Sequence, residues 1–191
     1  MDTTRASLLL RIKDARDTRA WAEFDALYRP MLYRFARTRG LDDAGAEDVV
    51  QHCMAAIHRH IGSFEYDPAK GRFKSWLRTL INNRFRDGLR NRRDQQAETR
   101  DFRQAQQRED SPDEAFEKVW MDEHLTYCLS RVRREIDAST YEAFCKHVIE
   151  DRPAQEVCEE LGMTANNLYK IKWRVTQKLQ EQMSVLLGPE E

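Results

Sequence analysis

The sequence predicts an all-α fold, and three observations predict it. Only 7 of the 191 residues are glycine and 5 are proline. Apolar residues recur at three- and four-residue spacings along most of the chain, and almost no segment alternates apolar and polar residues as a half-buried strand would. With 40% hydrophobic and 34% charged residues, the chain suits two small helical domains joined by a flexible linker, each burying a modest core.

A first short helix is expected over roughly Arg5 to Lys13. Asp17 can cap the next, whose Trp21, Phe24, Leu27, Tyr28, Met31, Leu32 and Phe35 make a wide apolar stripe that Pro30 should kink. Gly40 ends that helix and Asp42 or Asp43 caps a third, with Val49, Val50, Cys53, Met54 and Ile57 turned inward. The Asp-Pro and Lys-Gly steps of FEYDPAKGRF mark a loop.

The segment FKSWLRTLINNRFRDGLRNRR combines two surfaces. Phe73, Trp76, Leu77, Leu80, Ile81, Phe85 and Leu89 follow a 3.6-residue period and form a face to be buried. The other side carries Lys74, Arg78, Arg84, Arg86, Arg90, Arg92 and Arg93 against one acid, Asp87, with Asn82 and Asn83 at its centre. A solvated helix gains from mixed signs at i,i+4, so a face this uniformly cationic points to phosphate binding.

The formal net charge of -1 conceals segregated blocks. From Lys70 to Arg93 there are nine basic residues and one acid, whereas Asp94 to His124 holds ten acids and four bases. Residues 96–111, rich in Gln, Arg and acids with only Phe102 bulky, read as the linker between a domain at 1–95 and a domain at 112–187. The SPDE step can cap the long helix marked by Phe116, Val119, Trp120, Leu125, Cys128, Leu129, Val132 and Ile136, and Ser139 with Glu142 repeats that signal for the next.

At the C-terminal end, PAQEVCEELGMTANNLYKIKWRVTQKLQ has the order of a helix-turn-helix. Val157 and Leu161 are the apolar residues of a short helix, Gly162 permits the turn, and Thr164 caps a second helix. Leu168, Ile171, Val175 and Leu179 form its buried stripe; Asn166, Asn167, Lys170, Lys172, Trp173, Arg174 and Lys178 face outward with no acid among them. Such side chains can contact base edges and phosphates in a major groove.

The cysteines Cys53, Cys128, Cys145 and Cys158 lie far apart without a CxxC pair and read as reduced core residues, with no metal site or cofactor expected. The only apolar run near the N-terminus is three leucines, and no stretch nears the length of a membrane span, so a cytoplasmic location without membrane insertion is expected. Neither a Ser/His/Asp cluster, nor paired carboxylates, nor a Gly-rich phosphate loop occurs at useful spacing, which argues against an enzyme.

Together these stretches resemble the bacterial sigma factors, in particular the small extracytoplasmic-function type that keeps regions two and four. AEDVVQ resembles the family's Asp-Leu-Val-Gln segment, FKSWLRTLINNRFRDGLRNRR its Phe-x-x-Trp-Leu helix, and GMTANNLYKIKWRVTQKL its region-four recognition helix. The resemblance implies a transcription initiation factor with core RNA polymerase and promoter DNA as partners, and it leaves room for an anti-sigma factor. It implies minus-ten contacts at Asn82, Asn83, Arg84, Arg86 and Arg90, with Asn83 meeting a nontemplate-strand base and Trp76 mostly structural. It places minus-thirty-five contacts at Asn166, Asn167, Tyr169, Lys170, Trp173, Arg174 and Lys178, and polymerase docking at Asp48, Gln51 and His52. His52 stands where the family usually has an acid, and Tyr169 and Trp173 replace smaller or more polar residues. The competing reading is a stand-alone two-domain helix-turn-helix regulator, and a third is a helical adaptor that binds only protein.

Overall fold

The computed structural model describes residues 5–64, 72–95 and 112–187, with side chains over 7–64, 73–85 and 113–187. Among the described residues there are eight α-helices and no strand: α1 (Arg5–Arg11), α2 (Thr18–Thr38), α3 (Asp43–His60), α4 (Arg72–Gln95), α5 (Pro112–Glu135), α6 (Ala138–Phe144), α7 (Ala154–Leu161) and α8 (Ala165–Leu187). A 3₁₀ turn at Ile61–Ser63 follows α3, and a π turn at Cys145–Ile149 follows α6. The linker at 96–111, most of the FEYDPAKGRF loop and the SPDE cap at Ser111 lie outside the described residues.

The chain divides into two compact units, Met1–Glu123 and His124–Glu191. In the first, helix boundaries follow the expected chemistry. Asp17 accepts from the Ala20 amide at 2.8 Å and Asp42 from the Gly45 amide at 2.9 Å, each satisfying an amide that the first helical turn leaves open. Asp17 also receives Arg11 Nε at 3.0 Å, and that contact, with the amide behind it, holds its carboxyl below the usual range. Helix α2 continues through Pro30, and Gly40 (φ 86°) provides the left-handed turn after it. Phe24, Tyr28, Met31, Leu32 and Phe35 are fully buried between α3 and α4, joined by Val50, Cys53 and Ile57. Met54, expected inward, is only half-buried.

The division between the units falls inside α5. Phe116 meets Phe35 edge-on at 5.3 Å and Trp120 lies 5.9 Å from Tyr28, so the first half of α5 completes the core around α2. Met121 and Leu125 are exposed, so Leu125 does not extend the apolar stripe as expected. Farther along α5, in the second unit, Cys128 and Val132 are buried.

The second unit also corrects one expected cap. The first residue of α6 is Ala138, and Asp137 rather than Ser139 caps it: the carboxylate accepts from the Thr140 amide (2.8 Å), Thr140 Oγ1 (2.7 Å) and Ser139 Oγ (2.7 Å). Three donors hold Asp137 well below the ordinary carboxylate range. Ser139 is already the second residue of the helix, too far in to cap it, and its hydroxyl donates to Asp137 instead.

Candidate nucleic-acid interface

The orientation of α4 is set by its apolar side. Phe73, Leu77 and Ile81 are fully buried and Phe85 nearly so. Phe73 packs 5.3 Å from Tyr28 and 6.1 Å from Phe24, and Phe85 lies 6.1 Å from Phe35. Trp76 is half-buried, its ring 5.1 Å from Phe64 and 5.7 Å from Phe73, as suits a side chain that braces the helix. These contacts turn Asn83 out to solvent, with Asn82 and Arg84 half-buried beside it. Arg86 and Arg90 continue the helix, but their side chains lie outside the described residues.

The cationic side of α4 is not left entirely to outside anions, as its composition had suggested. In its first two turns Lys74 pairs with Glu117, and Arg78 lies 3.6 Å from Asp113, both acids of α5. Lys74 also sits 5.6 Å over the Trp120 ring. These pairs join residues far apart in sequence, and no local pattern announces them.

On α3, Asp48, Gln51 and His52 share one exposed face, three and four residues apart, while Val49, Val50 and Cys53 are buried behind them. His52 Nδ1 is 2.8 Å from the Asp48 carbonyl oxygen and 3.4 Å from its carboxylate. A carbonyl can only accept, so Nδ1 carries the proton. Burial pushes the Cys53 thiol up to about 12 and the Cys128 thiol up to about 11, so neither is a ready thiolate at neutral pH. Among the described residues no group of three or more His, Cys, Asp or Glu is placed to hold a metal ion.

In the second unit, α7 and α8 form the expected helix-turn-helix. Gly162 takes the left-handed conformation (φ 61°), the Met163 amide donates to the Cys158 carbonyl at 3.0 Å, and Thr164 Oγ1 accepts from the Asn167 amide at 3.3 Å. Leu168, Ile171, Val175 and Leu179 are all buried. The opposite side presents Asn166, Asn167, Tyr169, Lys170, Trp173 and Arg174, all exposed, with Lys178 half-buried. Two cations are partly engaged already: Arg174 Nη2 reaches Thr140 Oγ1 at 3.4 Å, and Lys178 pairs with Glu135 at 3.0 Å. The Tyr169 ring meets His147 edge-on at 6.0 Å, and His147 Nδ1 donates to the Arg152 carbonyl at 2.9 Å.

Three candidate surfaces therefore stand on helices: Asp48/Gln51/His52 on α3, Asn82/Asn83/Arg84 on α4, and the outer side of α8. The first two share one unit, the third lies in the other. Among the described residues no helix is long and apolar enough to cross a membrane.

A family model described as Sigma-70 region 2 matches residues 24–95, the span that carries α3, α4 and most of α2. The chain is 25% identical over 182 residues to the ECF RNA polymerase sigma factor RpoE of Cereibacter sphaeroides, covering 95% of this chain and 96% of that protein. It is 39% identical over 70 residues to the ECF RNA polymerase sigma factor SigM of Mycobacterium tuberculosis, covering 35% of this chain and 34% of that protein. Among solved structures, the RsbN-BldN complex aligns at a TM-score of 0.37 and 16% identity over 91% of this chain and 97% of that one. The region-two match thus falls on the helices that expose Asp48 and Asn83, and the similarity to the Cereibacter sphaeroides sigma factor runs along nearly the whole of both chains.

Proposed function

We propose that this chain is a dissociable initiation subunit that docks on core RNA polymerase, recognises the minus-thirty-five and minus-ten elements of a promoter, and promotes melting of the latter. Residues 1–95 would dock through Asp48, Gln51 and His52 and hold the minus-ten strand through Asn82, Asn83, Arg84, Arg86 and Arg90. Residues 96–111 would connect them to 112–187, whose α8 enters the major groove of the minus-thirty-five element with Asn166, Asn167, Tyr169, Lys170, Trp173, Arg174 and Lys178.

The mechanism needs binding energy and no covalent step. Cations hold phosphates and fix register, and side-chain amides recognise bases. A strand separated from its partner is trapped when an extruded base is held by hydrogen bonds to its Watson-Crick edge. Phosphodiester chemistry then belongs to the polymerase, so the chain itself is not an enzyme, and it works in the cytoplasm where promoter DNA and polymerase meet.

The observation that carries this reading is the presence of two separate DNA-suited helices, α4 and α8, beside an independent polar face on α3. A stand-alone regulator would use α8 and have no role for Asn83 or Asp48. Runoff transcription with purified core polymerase tests it: the full chain should yield promoter-dependent transcripts that core alone does not. Duplex binding without transcripts would instead mark a regulator.

A further inference from the structure

We propose that Trp173 reads thymine in the minus-thirty-five element through the C5 methyl group of the base, making selection there partly apolar. The inference rests on the assignment of α8 to that element. Trp173 is 68% exposed, more than any other large hydrophobic residue among the described residues. Nothing in the local fold requires an indole at that position, because the buried stripe of α8 is complete without it.

Helical spacing places it at the middle of the outer face. Trp173 lies two residues from both Ile171 and Val175, which at 100° per residue points it away from the buried stripe. Asn166, Lys170 and Gln177 lie seven and three residues before it and four after, so they surround it on the same side. From Ala165 to Gln180 the helix contains no acid, and Lys170 and Lys172 are exposed. The patch is therefore cationic, with the Trp173 indole, more exposed than its neighbour Tyr169, as the most prominent apolar body on it.

Its partner must be anionic yet offer an apolar group at reach. In a major groove the phosphates line the rim, and the thymine methyl is the apolar substituent on the floor. An indole has one donor and no acceptor, so it cannot make the two-point hydrogen bond by which Asn or Arg selects a base. What it offers in quantity is apolar area. Asn166 and Lys170, on the neighbouring turns toward the N-terminus, retain the hydrogen-bonding side of recognition.

The experiment uses holoenzyme reconstituted from the full chain and core polymerase. A duplex library randomised over the minus-thirty-five region is selected for retention, and the selected sequences are remade with deoxyuridine in place of each thymine. Deoxyuridine removes only the methyl group and keeps every hydrogen-bonding atom. Wild-type holoenzyme should lose about three- to fivefold in affinity at one or two thymines, the effect expected for uncovering one methyl group. Trp173→Ala should be indifferent to the replacement, and Trp173→Phe should keep part of it. Both should show the wild-type dependence on salt, since no phosphate contact is lost.

Selected sites without thymine, or a uridine penalty equal in wild type and Trp173→Ala, would overturn the inference while leaving α8 as the minus-thirty-five helix. Absence of any enrichment in the randomised region would overturn the assignment of α8 itself. Loss of core retention by Trp173→Ala, with DNA preference unchanged, would overturn the inference in favour of a protein contact.

Discussion

Glu160 at the end of α7 accepts a hydrogen bond from Lys146 Nζ at 2.6 Å, tying that helix to the π turn that precedes it. Arg152 Nη2 reaches the other oxygen at 2.8 Å, so one carboxylate joins two cations across the approach to the helix-turn-helix. The bond from Lys146, and then that from Arg152, hold Glu160 below its ordinary value, and Lys146 is raised in turn.

Glu160→Gln should lower Tm at pH 7, and the sign of its pH dependence follows from the lowered pKa. A carboxylate stabilised in the folded state contributes above its unfolded pKa and loses that contribution as pH falls through the folded one. The difference in Tm between wild type and variant should therefore narrow as pH falls below about 4, near and under the ordinary glutamate value. Because the group is solvent-exposed, added salt should narrow it as well. Thermal melts by circular dichroism across pH and salt check both trends. A gap that widened on acidification would remove Glu160 from this role.

Asp48→Arg should leave helicity unchanged and weaken retention by core polymerase by roughly tenfold or more, the scale on which a reversed charge acts at a complementary interface. The substitution alters an exposed face, since Val49 and Val50 carry the packing behind it. Gln51 stays in place, while His52 exchanges the Asp48 carboxylate 3.4 Å from its Nδ1 for a cation, so the charge of the whole exposed face is altered. Pull-down with core enzyme, read beside a far-UV spectrum, checks it. Unchanged retention would remove this face of α3 from docking.

Local chemistry made much of this fold legible. The period of Phe73, Leu77, Ile81 and Phe85 identifies the buried side of α4, and Leu168, Ile171, Val175 and Leu179 do the same for α8. Caps at Asp17 and Asp42 follow from short-range hydrogen bonding, as does the left-handed turn at Gly162. The misplaced cap at Ser139 shows the limit: Asp137 stands two residues earlier with the stronger acceptor, and a Ser-x-x-Glu pattern does not weigh the two. Partner choice is the larger gap. Apolar spacing marks Phe116 and Trp120 as buried without saying that α2 buries them, and it makes Leu125 look equivalent although it is exposed. Nor does a cationic run reveal that Glu117 and Asp113, about forty residues on, will meet Lys74 and Arg78. The π turn at Cys145–Ile149 has no composition signal of this kind.

Those same pairs sharpen what α4 can do. With Lys74 and Arg78 matched to acids of α5, the pair Asn82 and Asn83 becomes the part of the described helix best suited to a base. Asn83 is exposed between buried Ile81 and Phe85, so the helix is held firmly on either side of it. Its amide can both donate and accept, which suits the Watson-Crick edge of an unstacked base. Replacing it by alanine removes that capacity, adds no strain, and improves helix propensity slightly. Asn83→Ala should therefore keep its helicity and its binding to core polymerase, yet lose open-complex formation. Permanganate reactivity of minus-ten thymines reports the melted strand directly: the variant holoenzyme should fall to the level of core polymerase alone, while minus-thirty-five binding through α8 is retained. Wild-type reactivity in the variant would show that Asn83 captures no base, and that strand separation rests on other residues of α4.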